Sequence, residues 1–194
     1  VGDPDFEQRA NLKIQDGCDF MCSFCVIPFA RGRARSRDWE DLFGEARQMI
    51  DQGVREFILT GVNLGTYESK GNDFLALIDA LAEIPGLDRL RISSIEPTTI
   101  PSELFGMMAD PSHSLMPYLH IPMQSCCDGT LAGMKRKYGM EEMTAFFDSA
   151  AKAIPSLCLG TDLMVGFPGE SEREFEETCD RFLNLPFAYC HVFT

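Results

Sequence analysis

Glu56-Phe57-Ile58-Leu59-Thr60-Gly61 is a short apolar run closed by glycine, and residues 73–84 behind it set Phe74, Leu77, Ile78 and Leu81 at helical spacing before Pro85-Gly86. A five-residue run with Phe57, Ile58 and Leu59 at its centre and a turn at its end suits a buried strand, and the i, i+3, i+4, i+7 pattern suits an amphipathic helix stopped by Pro-Gly. Together they make one βα unit. Upstream, 12–15 reads as a short strand, and 38–52 as a helix with Leu42, Ala46, Met49 and Ile50 on one face and Gly53 at its end. Downstream, 89–93, 118–123, 157–165 and 189–193 read as strands, and 102–109, 140–153 and 171–183 as helices. Ser102 is expected to cap the first of those helices, and Ser171 with Glu174 to form a capping box on the last.

Six strands alternating with helices imply an α/β fold with a parallel sheet and right-handed crossovers. A closed eight-fold barrel takes about 250 residues. The 194 residues here supply a partial (β/α)6 TIM-like barrel instead. No GxGxxG follows a strand, so the dinucleotide-binding marker is missing. Residues 1–11 are polar and read as a linker, leaving 12–194 as one core domain. The chain starts at Val1 and stops inside a strand, so it is expected to be a trimmed piece whose missing parts cover that strand.

Composition excludes several classes. With 45% hydrophobic and 24% charged residues the chain is neither disordered nor collagenous. No run approaches the roughly 18 apolar residues of a membrane span, and no signal peptide is visible. Lys plus Arg is 17 against 30 Asp plus Glu, a net −13, and such a surface does not draw in phosphate backbones. The exception is local: Arg31, Arg33, Arg35 and Arg37 make a basic run suited to phosphate or substrate contact, or to a solvated face. Glu170, Glu172, Glu174, Glu176 and Glu177 read as the solvated face of a helix, and His113, His120 and His191 as structural.

Three of the eight cysteines need a chemical explanation. Gly17-Cys18-Asp19-Phe20-Met21-Cys22-Ser23-Phe24-Cys25 is a CxxxCxxC after the first strand, at the carboxyl end of the array, where ligands bind in such folds. A structural zinc site closes with four ligands, and no fourth Cys or His is near. A cubane iron–sulfur cluster on three cysteines keeps one iron open. A disulfide, buried thiols and zinc remain the alternatives, and Cys158, Cys179 and Cys190 read as buried small hydrophobes.

The CxxxCxxC, with aromatic Phe24 before its third cysteine, resembles the radical S-adenosylmethionine superfamily. The stretch Cys25-Val26-Ile27-Pro28-Phe29-Ala30-Arg31-Gly32-Arg33-Ala34-Arg35-Ser36-Arg37 is similar to its methylthiotransferases. So are Leu59-Thr60-Gly61-Val62-Asn63-Leu64-Gly65, Ser93-Ser94-Ile95-Glu96-Pro97 and His120-Ile121-Pro122-Met123-Gln124-Ser125. Met134-Lys135-Arg136 and Asp162-Leu163-Met164-Val165-Gly166-Phe167-Pro168-Gly169-Glu170 extend the match, which covers nearly the whole chain from Lys13. Cys126-Cys127 stand where many members have Gly-Ser, and read as small residues replacing small ones.

The resemblance implies a 4Fe–4S cluster on Cys18, Cys22 and Cys25, with S-adenosylmethionine on the open iron. It implies reductive cleavage of that molecule, hydrogen abstraction from an unactivated C–H bond, sulfur insertion, and methyl transfer from a second S-adenosylmethionine. Phe24, Gly61, Asn63, Ser94, Gln124, Asp162 and Gly166 are the candidate cofactor-binding residues: Phe24 near the adenine, Gly61 and Asn63 near the methionine, and Ser94, Gln124 and Asp162 toward the ribose or carboxylate. The favoured substrate is threonylcarbamoyladenosine in tRNA. Isopentenyladenosine and a ribosomal-protein aspartate mark the other branches, and a non-enzymatic electron carrier is the reading from another class. The resemblance further implies a cytoplasmic enzyme, a reductant protein, a sulfur donor, an N-terminal domain with a second cluster and a C-terminal RNA-binding domain, neither domain lying in these residues.

Overall fold

The structure, a computed structural model, describes residues 8–194. In chain order the elements are β1 (Arg9–Lys13), β2 (Gln15–Asp16), α1 (Ile27–Arg31), β3 (Arg35–Ser36), α2 (Trp39–Asp51), β4 (Glu56–Thr60), β5 (Glu68–Ser69), β6 (Asn72–Asp73) and α3 (Phe74–Ala82). Then follow β7 (Arg89–Ile92), α4 (Leu104–Ala109), β8 (Tyr118–His120), α5 (Asp128–Gly133), α6 (Met140–Ala153), β9 (Cys158–Met164), α7 (Glu172–Phe182) and β10 (Tyr189–Phe193). The expected parallel α/β architecture is present. Strands β1, β4 and β7 pair parallel in that order, as do β8, β9 and β10.

The expected single sheet is pinched between β7 and β8. Leu90 and Leu115 form one parallel bridge there, and the Ile95 N–H donates to the His120 carbonyl at 3.1 Å. Strand order still follows chain order across the pinch, which gives an open half-barrel with every main strand pointing the same way.

Helices pack on one face. Leu42, Phe43, Ala46 and Ile50 of α2, and Phe74, Leu77, Ile78 and Leu81 of α3, bury their apolar stripes with Leu12, Phe57, Leu59, Leu90 and Ile92. Each such side chain contributes about 1.5–3 kcal/mol when fully withdrawn from water. Asp38 and Asp73 cap α2 and α3 by accepting backbone N–H bonds. The opposite face is charged. In register at the amino end, Arg9, Glu56 and Arg89 lie side by side. The Glu56 carboxylate takes Arg9 Nε at 3.0 Å, Arg89 Nε at 2.7 Å and Arg91 Nε at 3.3 Å. Burial raises its pKa, and the arginines override that to leave it lowered.

Three expectations are corrected. The linker was expected to run to residue 11, but β1 already begins at Arg9; residues 1–7 lie outside the described residues. Ser102 does not cap α4: the cap position is Glu103, with no side-chain cap bond, and Ser102 Oγ donates to Glu103 instead. Glu170 does not belong to the solvated helix face: it precedes α7 and accepts from the Gly166 N–H, while Glu174 closes the expected capping box with Ser171.

Candidate functional site

Cys18, Cys22 and Cys25 sit on a loop that leaves β2 and returns through β3. The antiparallel pairs Gln15↔Ser36 and Asp16↔Arg35 close its base, and the Cys18 N–H donates to the Gly32 carbonyl at 3.1 Å. Gly17 has φ +72°, and a Cβ there would stand 2.1 Å from the Arg33 carbonyl oxygen, so this crossing takes glycine alone. Buried Gln15 ties the loop to the sheet. Its amide donates to the Gly17 carbonyl at 2.8 Å, and its Oε1 accepts the N–H groups of Val62 and Asn63 at 2.8 and 3.0 Å.

All three thiols are free and half-buried. Burial raises the Cys18 pKa; the Phe20 N–H opposes this, and Cys22, Cys25 and Glu96 add to it. A Cys18 thiolate so placed is stabilised by coordination to metal. A single structural zinc closes with four ligands, and the loop supplies three thiols; a cluster that offers a separate iron to each thiolate uses all three and keeps one iron open.

The other candidates lie where parallel strands end. Gly61 follows β4, Ser94 follows β7, Gln124 follows β8 and Gly166 follows β9, all at the carboxyl edge that also bears the cysteine loop. Gln124 has φ +76°, an uncommon conformation outside glycine. Its backbone is stitched to β9 by N–H to the Asp162 carbonyl and carbonyl to the Met164 N–H, at 2.9 and 2.8 Å. Gly61 is packed from its own chain: a Cβ there would stand 2.6 Å from Leu64 and 3.0 Å from the Gln15 carbonyl. Asn63 is buried, and its Oδ1 accepts from the Thr99 hydroxyl at 3.1 Å. Phe24 and Ser94 are half-buried, and Gly166 is exposed at φ +73°.

Asp162 is more engaged than a free ribose acceptor. Its Oδ2 lies 3.1 Å from His120 Nε2 and its Oδ1 lies 3.2 Å from His191 Nδ1, while His120 Nδ1 meets the Tyr189 hydroxyl at 3.0 Å. His120 and His191, read from the sequence as structural, meet on this carboxylate. Three neighbouring strands bring them onto one carboxylate, although they stand 71 residues apart in sequence. Gly160 makes room: a Cβ there would stand 2.1 Å from the Tyr189 ring.

Sequence reasoning missed the most buried charged pair at the rim. Arg136 bonds Glu96 through Nη2 at 2.8 and 3.0 Å, with side-chain exposures of 5% and 10%. Burial raises the Glu96 pKa, and the guanidinium pulls it back. The residues stood inside two quoted motifs, Ser93–Pro97 and Met134–Arg136, but nothing one-dimensional pairs them. Cys126 and Cys127 are buried under α7, with burial pushing the Cys126 thiol up to about 12. Such a thiol stays protonated and packs. Cys158 and Cys179, expected to be buried, are instead exposed, and Cys190 is half-buried.

The arginine run divides. Arg37 is committed to Asp41 and Glu45, whereas Arg31, Arg33 and Arg35 are more than half exposed and make longer pairs with Asp16 and Asp19. Asp16, on the loop's base, is held well below the carboxylate range, from 3.8 to about 2, by the Lys13 ammonium first and then the Gly17 N–H. A depressed folded pKa means the unfolded chain binds the proton more readily, so stability falls with acid. We expect Asp16 to support the fold above about pH 4 and to lose that effect as pH falls towards about 2. Thermal melts across this window should slope less steeply for Asp16→Asn than for the parent; parallel slopes would remove Asp16 from the account.

Among the described residues no helix is long and apolar enough to cross a membrane. A family model, the Radical SAM superfamily, matches residues 12–182. The chain is 43% identical over 188 residues to the threonylcarbamoyladenosine tRNA methylthiotransferase MtaB of Bacillus subtilis (strain 168), covering 95% of this chain and 42% of that one. It is 42% identical over 185 residues to a tRNA-2-methylthio-N(6)-dimethylallyladenosine synthase of Cereibacter sphaeroides, again covering 95% of this chain and 42% of that one. It thus spans about two fifths of the length of these curated relatives. Among solved structures, the radical S-adenosylmethionine methyltransferase TsrM from Kitasatospora setae, with tryptophan substrate and a SAM analog bound, superposes at TM-score 0.77. At 18% identity, over 95% of this chain and 35% of that one, this likeness concerns the fold. With the cysteine loop, the parallel half-barrel and a family match over most of its length, the chain belongs to the radical SAM superfamily.

Proposed function

We propose that this chain is the central catalytic domain of a methylthiotransferase that acts on a modified adenosine in tRNA, with threonylcarbamoyladenosine as the nucleoside. The observation that carries the reading is the three half-buried thiols on one pinned loop at the carboxyl rim, in a chain whose relatives are named for this reaction. A 4Fe–4S cluster bound there would supply the electron that cleaves S-adenosylmethionine. The residues supply the rest. Cys18, Cys22 and Cys25 would hold the cluster, three thiolates leaving room for the cofactor's amino acid end. The strand ends at Gly61, Asn63, Ser94, Gln124 and Gly166 shape its bed, Phe24 offers a ring to the adenine, and Asp162 with His120 and His191 gives a polar floor. Orientation and exclusion of water are the protein's share when a cofactor brings the reactive chemistry.

Exposed Arg31, Arg33 and Arg35 suit an RNA phosphate beside the loop, while Arg37 serves the fold. The net charge of −13 opposes RNA elsewhere, so tRNA binding is assigned to parts of the full-length protein beyond these residues. A second cluster in an N-terminal domain, a sulfur donor, a reductant protein and a cytoplasmic setting complete the proposal.

Relatives of two tRNA branches match almost equally, so the test separates them. Mass spectrometry of nucleosides from tRNA incubated with the full-length protein should show methylthiolated threonylcarbamoyladenosine, and this chain alone should leave tRNA unmodified. Methylthiolated dimethylallyladenosine would move the protein to the other tRNA branch. Modification of a ribosomal-protein aspartate would overturn the tRNA assignment.

A further inference from the structure

Arg136 reaches further than Glu96. Its Nη1 lies 3.4 Å from the Sγ of Cys22, and among the described residues that sulfur is the acceptor found for this nitrogen. The other donors are fixed. Nη2 serves Glu96 and the Pro122 carbonyl at 3.0 Å, Nε donates to the Tyr138 hydroxyl at 3.0 Å, and the guanidinium lies over the Tyr138 ring at 4.9 Å. The same turn grips the loop beside Cys22: the Ser23 N–H donates to the Met134 carbonyl at 3.0 Å and its hydroxyl to the Gly133 carbonyl at 2.9 Å. A planar cation clamped on four sides therefore presents its remaining edge to a ligand sulfur.

We propose that Arg136 is a positioning residue that fixes the Cys22 sulfur and raises the reduction potential of the cluster this sulfur holds, with Glu96 setting the opposite bias. The proposal rests on the cluster reading above. One-electron reduction adds negative charge at the cluster and its sulfurs. A permanent guanidinium charge and an N–H bond to sulfur both favour that reduced state, and hydrogen bonds to cluster sulfurs are among the main determinants of potential. Both charges are withdrawn from water, where screening is weak. Arg136 turns its Nη1 edge to Cys22, while its Nη2 edge meets the Glu96 carboxylate.

The test is an anaerobic redox titration of the reconstituted chain, followed by electron paramagnetic resonance. Arg136→Gln should lower the equilibrium constant for one-electron reduction about tenfold, a 59 mV shift to more negative potential. Glu96→Gln should shift it to more positive potential, and Arg136→Lys, which keeps the charge without the fork, should fall between Arg136→Gln and the parent. A role confined to folding predicts no opposite signs. If Arg136→Gln assembles no cluster, Arg136→Lys and Glu96→Gln still decide the matter. Potentials unchanged in these variants, in a parent chain that holds its cluster, would overturn the inference alone. A parent chain that takes up no cluster would overturn the cluster reading and this inference with it.

Discussion

Cys22→Ala is expected to abolish stable iron binding. After anaerobic reconstitution the parent chain should be coloured and retain iron and sulfide through gel filtration, whereas the variant should come through colourless with iron near background. The reason is chelation: three thiolates on one loop hold the cluster together, and two leave a second iron without a protein ligand. The loss should be local. Cys22 is half-buried on a loop outside the apolar core, so the far-ultraviolet circular dichroism of the variant should match the parent. A variant that keeps its full iron would show that the cluster, if present, is held elsewhere.

Arg136→Met should be the most destabilising single change at the rim, costing about 3–5 kcal/mol in denaturant unfolding, the range for removing one partner of a buried ion pair. Glu96 would then be buried without its cation, and the Pro122 carbonyl would lose a donor. Glu96→Gln should cost less, about 1–3 kcal/mol, because an amide can still accept from the guanidinium. The double variant should recover part of the loss, since it removes the uncompensated charge. The pH dependence has a definite sign. Burial raises the Glu96 pKa, and without Arg136 nothing opposes it. The folded variant then binds a proton more readily than the unfolded chain, so its stability falls as pH rises. Arg136→Met should accordingly be closer to the parent at mildly acidic pH than above neutrality; a penalty that does not change with pH would count against a charged Glu96 as its source.

Where an apolar pattern marks an element, the sequence was readable. Glu56–Thr60, Met140–Ala153 and Tyr189–Phe193 run as their apolar patterns predict. Where charges on neighbouring strands compensate one another, it was not. Arg9–Asn11 reads as a polar linker because its partner, Glu56, lies 47 residues away and appears only when β1 and β4 pair. The same holds for His120, Asp162 and His191, each unremarkable alone, and for Arg136, whose neighbours come from two other strand ends and the cysteine loop. The short helix α5 was missed because Asp128–Gly133 buries only Thr130 and Leu131, too little for a periodic stripe. The place of the cysteine loop after the first strand was legible, since metal chemistry sets ligands at close spacing along the chain, but the β2–β3 pairing that closes it and the helix α1 within it were not.

The claim that this loop builds a cluster with one iron left open for S-adenosylmethionine is tested most directly by metal analysis and electron paramagnetic resonance. Both use the anaerobically reconstituted and reduced chain, with and without S-adenosylmethionine. The account predicts iron and sulfide in cluster ratio, a reduced 4Fe–4S signal, and a changed signal when S-adenosylmethionine binds the open iron. Stoichiometric zinc without iron, or a cluster signal that S-adenosylmethionine leaves unaltered, would contradict it.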